Sequence, residues 1–293
     1  MMDALITYVD GNDPVWQEQY ESCFHQKPLA KRYRDWGTLR YLLRGVETCM
    51  PFIDNVFLVV SSKSQVPSWV DTGKVRVVLH SDIMPFGSLP TFNSTSIEMF
   101  LHRAPGLGEE FIYFNDDMFP VSKCAPDDFF PDGRPAIAFS KCLFTGGMYR
   151  KQVRNSDLLA RRALGMDGGL IYVRPQHICS PMLRSESEAC FQAVEDEILS
   201  RLSPTRTVSN VNQYLFLDYL YYQGKAVNRK ISNRHLSYAV HSVSRICDNI
   251  LHPSTKLICV NDVRLADGLY EKYKALVTRA FSERFPIKSR FEI

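Results

Sequence analysis

The sequence predicts an α/β fold: a mainly parallel sheet in the first half and a more helical C-terminal portion. Three observations predict it. Short β-rich apolar runs alternate with helical periodicity, the links between them are short, and the second half keeps mainly helical spacing. Residues 4–9 form the first apolar run, stopped by the dense turn signal Asp10-Gly11-Asn12-Asp13-Pro14. Leu39, Leu42, Leu43 and Val46 fall at i, i+3, i+4 and i+7, the spacing of an amphipathic helix. Residues 55–60 are a second strand, so uniformly apolar that both faces are expected to be buried. Residues 74–79 are a third, closed by His80. A helix is expected over 94–102, with Ser94 or Thr95 placed to cap it. Residues 111–114 are a further strand, ending abruptly in Asn115-Asp116-Asp117. This alternation reads as a doubly wound, Rossmann-like sheet, in which ligands bind at the carboxyl ends of the strands. Asp10-Gly11-Asn12-Asp13 and Asn115-Asp116-Asp117 both stand at such ends.

In the second half Phe191, Val194, Ile198 and Leu202 keep helical spacing. Residues 211–222 are mostly apolar and end near Gly224, as a largely buried helix would. Leu269, Tyr273, Leu276, Val277, Ala280 and Phe281 mark a last helix. Residues 127–168, rich in Gly, Pro and basic side chains, are expected to be a mobile loop region.

Composition narrows the function classes. With 293 residues, 45% hydrophobic and 23% charged, the chain can build a core, which excludes disorder and a disulfide-stapled miniprotein. Its 35 basic and 32 acidic residues leave a net charge of only +3. That argues against a nucleic-acid partner or a global membrane field, and leaves room for a local basic patch. The eight cysteines include no CxxC pair and are read as mostly reduced. No apolar run approaches the ~20 residues of a bilayer span, so the expectation is a soluble, cytoplasmic protein.

Four groups of residues could carry chemistry. Asp116 and Asp117 pair carboxylates at a strand end, a hard-oxygen site suited to Mg²⁺ or Mn²⁺ on a diphosphate; a capped turn explains the same residues on backbone grounds. Lys31, Arg32, Arg34, Arg40 and Arg44 form a basic cluster that suits phosphate, or a solvated face. His177 could act as a general base, or serve as a satisfied structural histidine, and Arg206 is a candidate of the same kind. His241, Cys247, His252 and Cys259 are zinc-ligand types whose spacing matches no compact motif. Asn93-Ser94-Thr95 fits a glycosylation sequon without a secretory signal to give it meaning.

Taken together, the segments resemble the Stealth family of sugar-1-phosphate transferases, whose members include bacterial capsule polymerases and the α/β subunits of GlcNAc-1-phosphotransferase. Four regions carry the resemblance in order. The first runs from Tyr8 through Asp10-Gly11-Asn12-Asp13 to Pro14. The second and most specific starts at Arg32-Tyr33-Arg34-Asp35 and Leu39-Arg40-Tyr41, passes Pro67-Ser68-Trp69 and His80-Ser81-Asp82, and includes Leu89-Pro90-Thr91-Phe92-Asn93-Ser94. It closes with Leu101-His102-Arg103 and residues 111–117. The third is His177 with Arg206, and the fourth is Cys259-Val260-Asn261-Asp262 with Phe285-Pro286 and Phe291-Glu292. Thr38 stands where the family usually has an acidic residue, and Asn210 where an Asp is common.

The resemblance implies a single catalytic domain over 1–293, with an α/β core (1–126) holding donor and metal, the loop region (127–168) and a mainly helical part (169–293). It implies a UDP-sugar donor, such as UDP-GlcNAc, and a glycan acceptor whose hydroxyl attacks the phosphorus next to the sugar and releases UMP. Mg²⁺ (or Mn²⁺) would be held by Asp116, Asp117 and Asp262. Asp117, His177 and Arg206 would be catalytic, with His177 the base. Asp10, Gly11, Arg32, Asp35, Arg40, Arg44, Asn93, His102 and Arg103 would bind substrate. Peripheral association with the inner face of the membrane, through other capsule enzymes, is a further expectation. The alternative activity is a metal-dependent glycosyltransferase that attacks the sugar carbon and releases UDP.

Overall fold

The computed structural model describes residues 1–29, 32–262 and 265–293; Lys31 of the predicted basic cluster lies outside them. Strand β1 (Met2–Thr7) is buried nearly throughout. Helix α1 (Pro14–Phe24), an element the sequence reading does not include, starts at the end of the turn signal, because the Asp13 carboxylate accepts from the Val15 N–H and Pro14 occupies the first turn, where a missing donor costs nothing. Helix α2 (Leu39–Cys49) buries Leu39, Leu42, Leu43 and Val46 together. Strand β2 (Ile53–Val60) is buried from Val56 to its end.

Strand β3 (Val75–Leu79) runs directly into a one-turn helix, α3 (His80–Ile83), in which Asp82 accepts from the Leu79 N–H at 2.8 Å. His80 therefore opens a helix rather than closing a strand. Helix α4 (Ser94–Glu98) is shorter than the predicted 94–102, and its cap is Asn93, whose side chain accepts from the Thr95 N–H. Strands β4 (Glu110–Asn115) and β5 (Met118–Pro120) are separated only by Asp116 and Asp117.

Residues 127–168 depart most from expectation. They contain strand β6 (Phe139–Cys142) and the 17-residue helix α5 (Gly147–Ala163). The buried stripe of α5 includes Gln152, Ser156 and Asp157, so apolar periodicity is interrupted where the helix is most enclosed. Those polar groups are satisfied: Asp157 accepts from the Val173 N–H (2.8 Å), the Tyr222 hydroxyl (2.5 Å) and Arg161 Nε (3.0 Å).

Strands β7 (Tyr172–Pro175) and β8 (Ser180–Leu183) follow. The periodic stretch from Phe191 to Leu202 divides into α6 (Arg184–Ala193) and α7 (Glu195–Leu199), because Val194 takes φ −138°, ψ 33°, outside the helical region. Helix α8 (Tyr214–Tyr222), strand β9 (Asn233–Ser237), helix α9 (Val243–Leu251), strand β10 (Leu257–Asn261) and helix α10 (Asp267–Arg284) complete the chain.

The central sheet is mostly parallel and has the order β3-β2-β1-β4-β8, with β8 antiparallel to β4 through the pairs from Glu110–Leu183 to Tyr113–Ser180. A second sheet orders β5-β10-β9, and a third pairs β6 with β7. Two compact units divide the chain. One comprises residues 1–5, 78–113 and 126–231, with α5 packed on α8. The other comprises residues 6–77, 114–125 and 232–293, with α9 packed on α10 and α2 on β5. Among the described residues no helix is long and apolar enough to cross a membrane.

Candidate active site

In the order β3-β2-β1-β4 the chain leaves β1 toward β2 on one side while β4 lies on the other. Adjacent strands whose connections diverge leave a crevice at their carboxyl ends. The residues that follow those two ends are Tyr8, Asp10 and Gly11 after β1, and Asp116 and Asp117 after β4, all in the second unit.

The turn after β1 is fixed by backbone and amide contacts. Gly11 N–H donates to Tyr33 O at 2.9 Å, and a Cβ on Gly11 would lie 2.3 Å from that oxygen, so the approach requires glycine. Asp10 N–H donates to Gln65 Oε1 (2.7 Å), and Gln65 Nε2 donates to Asp10 O (3.1 Å) and Asp13 Oδ2 (2.8 Å). The Asp10 carboxylate accepts from Asn12 N–H at 2.8 Å, an Asx turn that holds it at the mouth of the strand.

Five carboxylates influence one another here. Asp116 is pushed well above the ordinary carboxylate range, first by burial and then by Asp117, Asp35 and Asp262. Asp35 is raised by burial, against the opposing Gly37 N–H (2.9 Å) and the charge of Lys274, while Asp10 adds to the rise. Asp262 is raised by burial too, opposed by the Trp36 indole N–H (2.7 Å) and Arg34, and raised further by Asp117. The hydroxyl of Tyr8 donates to Asp35, and burial followed by Asp35, Asp10 and Asp116 keeps that phenol protonated. Asp117 joins β10: its carbonyl accepts from Val260 N–H (2.8 Å) and its Oδ2 from the Cys259 thiol (3.4 Å).

An aromatic group flanks these acids. Trp36 stacks on Tyr238 (5.1 Å between centroids, 6° between planes) and meets Tyr270 edge-on at 5.3 Å. Tyr270 Oη and Lys274 Nζ both donate to the Asp35 carbonyl at 2.5 Å, which ties α10 to the segment carrying Asp35.

Polar residues also gather within the first unit. His177 Nδ1 lies 3.0 Å from the Tyr214 hydroxyl, which lies 3.2 Å from the Tyr149 hydroxyl. Burial, then Arg206, pulls the His177 imidazole down to about 4, so it is neutral at pH 7. Arg206 donates to Ser94 Oγ at 2.5 Å. Glu98, at 4% exposure, is pushed up to about 7 by burial, against Arg206, the Gln213 N–H (3.1 Å) and the hydroxyls of Ser94 and Tyr113. Asn93 and Asn210 brace the same region, with Asn93 Nδ2 donating to Asn210 Oδ1 at 3.1 Å. Asn210 Nδ2 in turn donates to Arg201 O (2.6 Å) and Ser203 Oγ (2.8 Å), contacts that an Asp at this position could not make as a donor.

Asp10, Gly11, Asp35, Asp116, Asp117 and Asp262 are thus gathered in one unit, while Asn93, His177 and Arg206 lie in the other. Several predicted substrate-binding side chains are engaged elsewhere. Arg44 is buried and forked onto Glu292 (2.7 and 2.8 Å), with a further bond to Phe285 O (2.8 Å). Arg40 lies over Trp69 at 4.7 Å, Arg34 pairs with Asp267, and Arg32 is exposed. His102 and Arg103 both bind Glu188 on α6, at 2.8 Å and 3.0 Å. Of the zinc-type residues, His241 is held by Ser237 and Cys259 faces Asp117. The sequence pattern does not mark Tyr8, Trp36, Tyr149 or Tyr214 as chemistry-bearing residues, and Glu98, inside a short helix among apolar neighbours, offers no signal.

The family model described as Stealth protein CR2, conserved region 2, matches residues 32–136. The capsular polysaccharide phosphotransferase WcwK of Streptococcus pneumoniae is 30% identical over 100% of this chain and 99% of its own length. The receptor polysaccharide phosphotransferase WefC of Streptococcus oralis is 29% identical over the same shares, 100% and 99%. The exopolysaccharide phosphotransferase SCO2594 of Streptomyces coelicolor is 30% identical over 99% of this chain and 51% of that one. Among solved structures, the galactosyltransferase LgtC in complex with donor and acceptor sugar analogs aligns with a TM-score of 0.43 at 11% identity, covering 94% of this chain and 95% of that one.

Proposed function

This chain belongs to the Stealth family of polysaccharide phosphotransferases, and we propose that it transfers a sugar 1-phosphate from a nucleotide-diphosphate sugar to a glycan hydroxyl in the synthesis of a cell-surface polysaccharide. The observation that carries the reading is the group of mutually repelling carboxylates Asp10, Asp35, Asp116, Asp117 and Asp262. Its donors are all hard oxygens, and their shared negative charge fits a divalent cation such as Mg²⁺ or Mn²⁺. Asp116, Asp117 and Asp262 would hold it, and a bound ion supplies neutralisation of the donor diphosphate. Trp36 and Tyr238 offer an aromatic face for binding and orienting the donor.

His177, neutral at pH 7, takes the proton of the acceptor hydroxyl. The acceptor oxygen forms a bond to the phosphorus bearing the sugar, the bond between the two phosphates breaks, and the nucleoside monophosphate leaves. Arg206 stabilises negative charge on the transferring phosphoryl group. A UDP-hexosamine donor, a glycan acceptor and a cytoplasmic site of action, where nucleotide sugars are made, belong to this proposal.

The test is the nucleotide released when the protein is incubated with UDP-GlcNAc, an acceptor glycan and Mg²⁺. UMP, formed in proportion to acceptor, is the expected product. UDP would mean attack at the sugar carbon and would overturn phosphoryl transfer.

A further inference from the structure

The chain carries an exposed apolar cluster with a basic border, remote in sequence from the acidic site. Six large apolar side chains between 143 and 171 are exposed: Leu143, Phe144, Met148, Met166, Leu170 and Ile171. Phe144 and Leu170 are the extremes, each 77% exposed. The fold brings the two ends of this stretch together. Strands β6 and β7 are antiparallel, and their last pair is Cys142 with Tyr172. Leu143 and Phe144 therefore leave the pair on the side from which Leu170 and Ile171 arrive. The Tyr172 hydroxyl donates to Phe144 O (2.8 Å), Arg154 to Leu170 O (3.3 Å) and Arg161 to Ile171 O (3.2 Å), so both segments are pinned to β7 and α5. Met148 stands in the first turn of α5, and Met166 folds back onto its end through a bond to Arg161 O (2.9 Å).

The charge around this cluster is one-sided. Residues 141–171 contain six basic and two acidic side chains, a surplus of four that exceeds the +3 of the whole chain. Of the two acids, Asp157 is buried and paired with Arg161, leaving Asp167 exposed. Lys141, Arg150 and Lys151 are exposed in the same segment, within a few residues of Leu143, Phe144 and Met148 in the chain. Exposed aliphatic and aromatic groups bordered by Lys and Arg are the chemistry of a surface that inserts shallowly into a bilayer and is drawn to anionic headgroups. Exposed apolar side chains gathered as Leu143, Phe144, Leu170 and Ile171 are at the end of the β6–β7 pair are otherwise a liability in water.

We propose that residues 141–171 form a docking surface for an anionic phospholipid bilayer, with Phe144 and Leu170 as the inserting side chains and Lys141, Arg150 and Lys151 as the headgroup contacts. The surface holds the enzyme against a membrane directly, without another protein. This inference does not depend on the reaction catalysed.

The experiment is co-sedimentation of the full chain with vesicles of equal parts phosphatidylglycerol and phosphatidylcholine, and with vesicles of phosphatidylcholine alone. Binding to the anionic vesicles is expected, weakening as salt rises. Each basic residue changed to Gln among Lys141, Arg150 and Lys151 is expected to weaken partitioning by about fivefold. The double variant Phe144→Asp/Leu170→Asp is expected to abolish it while melting at the wild-type temperature, since both side chains are exposed. Phe86→Asp, at a 93% exposed position outside the patch, is the control and is expected to bind like wild type. Equal binding to both vesicle types, undiminished binding by the double variant, or loss of self-association rather than of vesicle binding in that variant would each overturn the proposal.

Discussion

His177 sits beside Tyr214 with its imidazole held neutral, because burial and then Arg206 disfavour the charged form and bring its pKa down to about 4. A base must be deprotonated to act, so its contribution disappears only as pH falls toward that value. If His177 is the base, the acid limb of the pH–rate profile lies near 4. A limb near the ordinary histidine value of about 6.5 would assign the proton transfer to another group. His177→Ala is expected to lower turnover by roughly 10²–10⁴-fold with folding intact. Tyr214→Phe removes the Nδ1 partner and is expected to move the limb without removing activity, as kcat measured against pH would report. Glu98 has the opposite character. Burial raises it to about 7, and Arg206, Ser94, Tyr113 and the Gln213 N–H hold it in place. Its raised pKa means that ionising it costs folded-state stability, and that cost grows as pH climbs from the usual carboxylate range through about 7. Glu98→Gln keeps the shape and drops the charge. The variant should therefore melt higher than wild type at pH 8 and no higher at pH 5, which two thermal scans decide.

Helix α2 shows how one element can carry both packing and a buried ion pair. Gly45 lets β5 approach so closely that a Cβ there would fall 2.5 Å from Pro120 O. Gly45→Ala is expected to destabilise the protein by about 1–3 kcal/mol, the usual cost of overpacking, in a urea titration. At the position just before it, Arg44 joins Glu292 and ties the same helix to the last residues of the chain, with side chains 8% and 2% exposed. Burial alone would raise the Glu292 carboxyl, but Arg44 and Ser289 outweigh it and hold the pKa below the ordinary value. The stability it contributes is therefore present above the usual carboxylate range and lost as pH falls through the depressed value. Glu292→Ala leaves a buried guanidinium without its carboxylate and should cost about 3–5 kcal/mol at pH 7. The leucine stripe of α2 is readable in the sequence because Leu39, Leu42, Leu43 and Val46 keep unbroken helical spacing, although buried Arg44 lies beside them. Helix α5 is not, since Gln152, Ser156 and Asp157 occupy its inward face and find their partners on Thr207, Asn212, Val173 and Tyr222, far away in sequence. The site divides in the same way. Asp10, Asp116 and Asp117 announce themselves as acids at strand ends, whereas Glu98 and Tyr214 acquire their roles only through contacts that the fold creates. Arg44 shows the converse, a cation that suits phosphate by type and is already occupied by Glu292.

At the scale of the whole molecule, charge is distributed unevenly in two senses. Basic residues are concentrated in 141–171, and acidic residues that repel one another are gathered around Asp116, with Asp117, Asp35 and Asp262. The second feature couples global stability to pH and to divalent cations. Asp116 is raised well above the ordinary carboxylate range by burial, Asp117, Asp35 and Asp262. The folded protein thus binds protons there more tightly than the unfolded chain does, and metal-free stability falls as pH rises above the usual carboxylate range. A divalent ion that binds only the folded state reverses this by mass action, contributing about 2.7 kcal/mol at a hundred times its Kd. For a chain of this size that corresponds to a rise in Tm of about 4–5 °C. Protons compete with the ion for the same oxygens, so the rise should be larger at pH 8 than at pH 5. In Asp116→Asn or Asp117→Asn the metal-dependent rise should vanish, while Asp116→Asn, relieved of repulsion, should melt higher than wild type in the absence of metal. Calorimetry with and without MgCl₂ at the two pH values separates these outcomes. A rise that is equal at both pH values and survives in both variants would locate the ion away from this cluster.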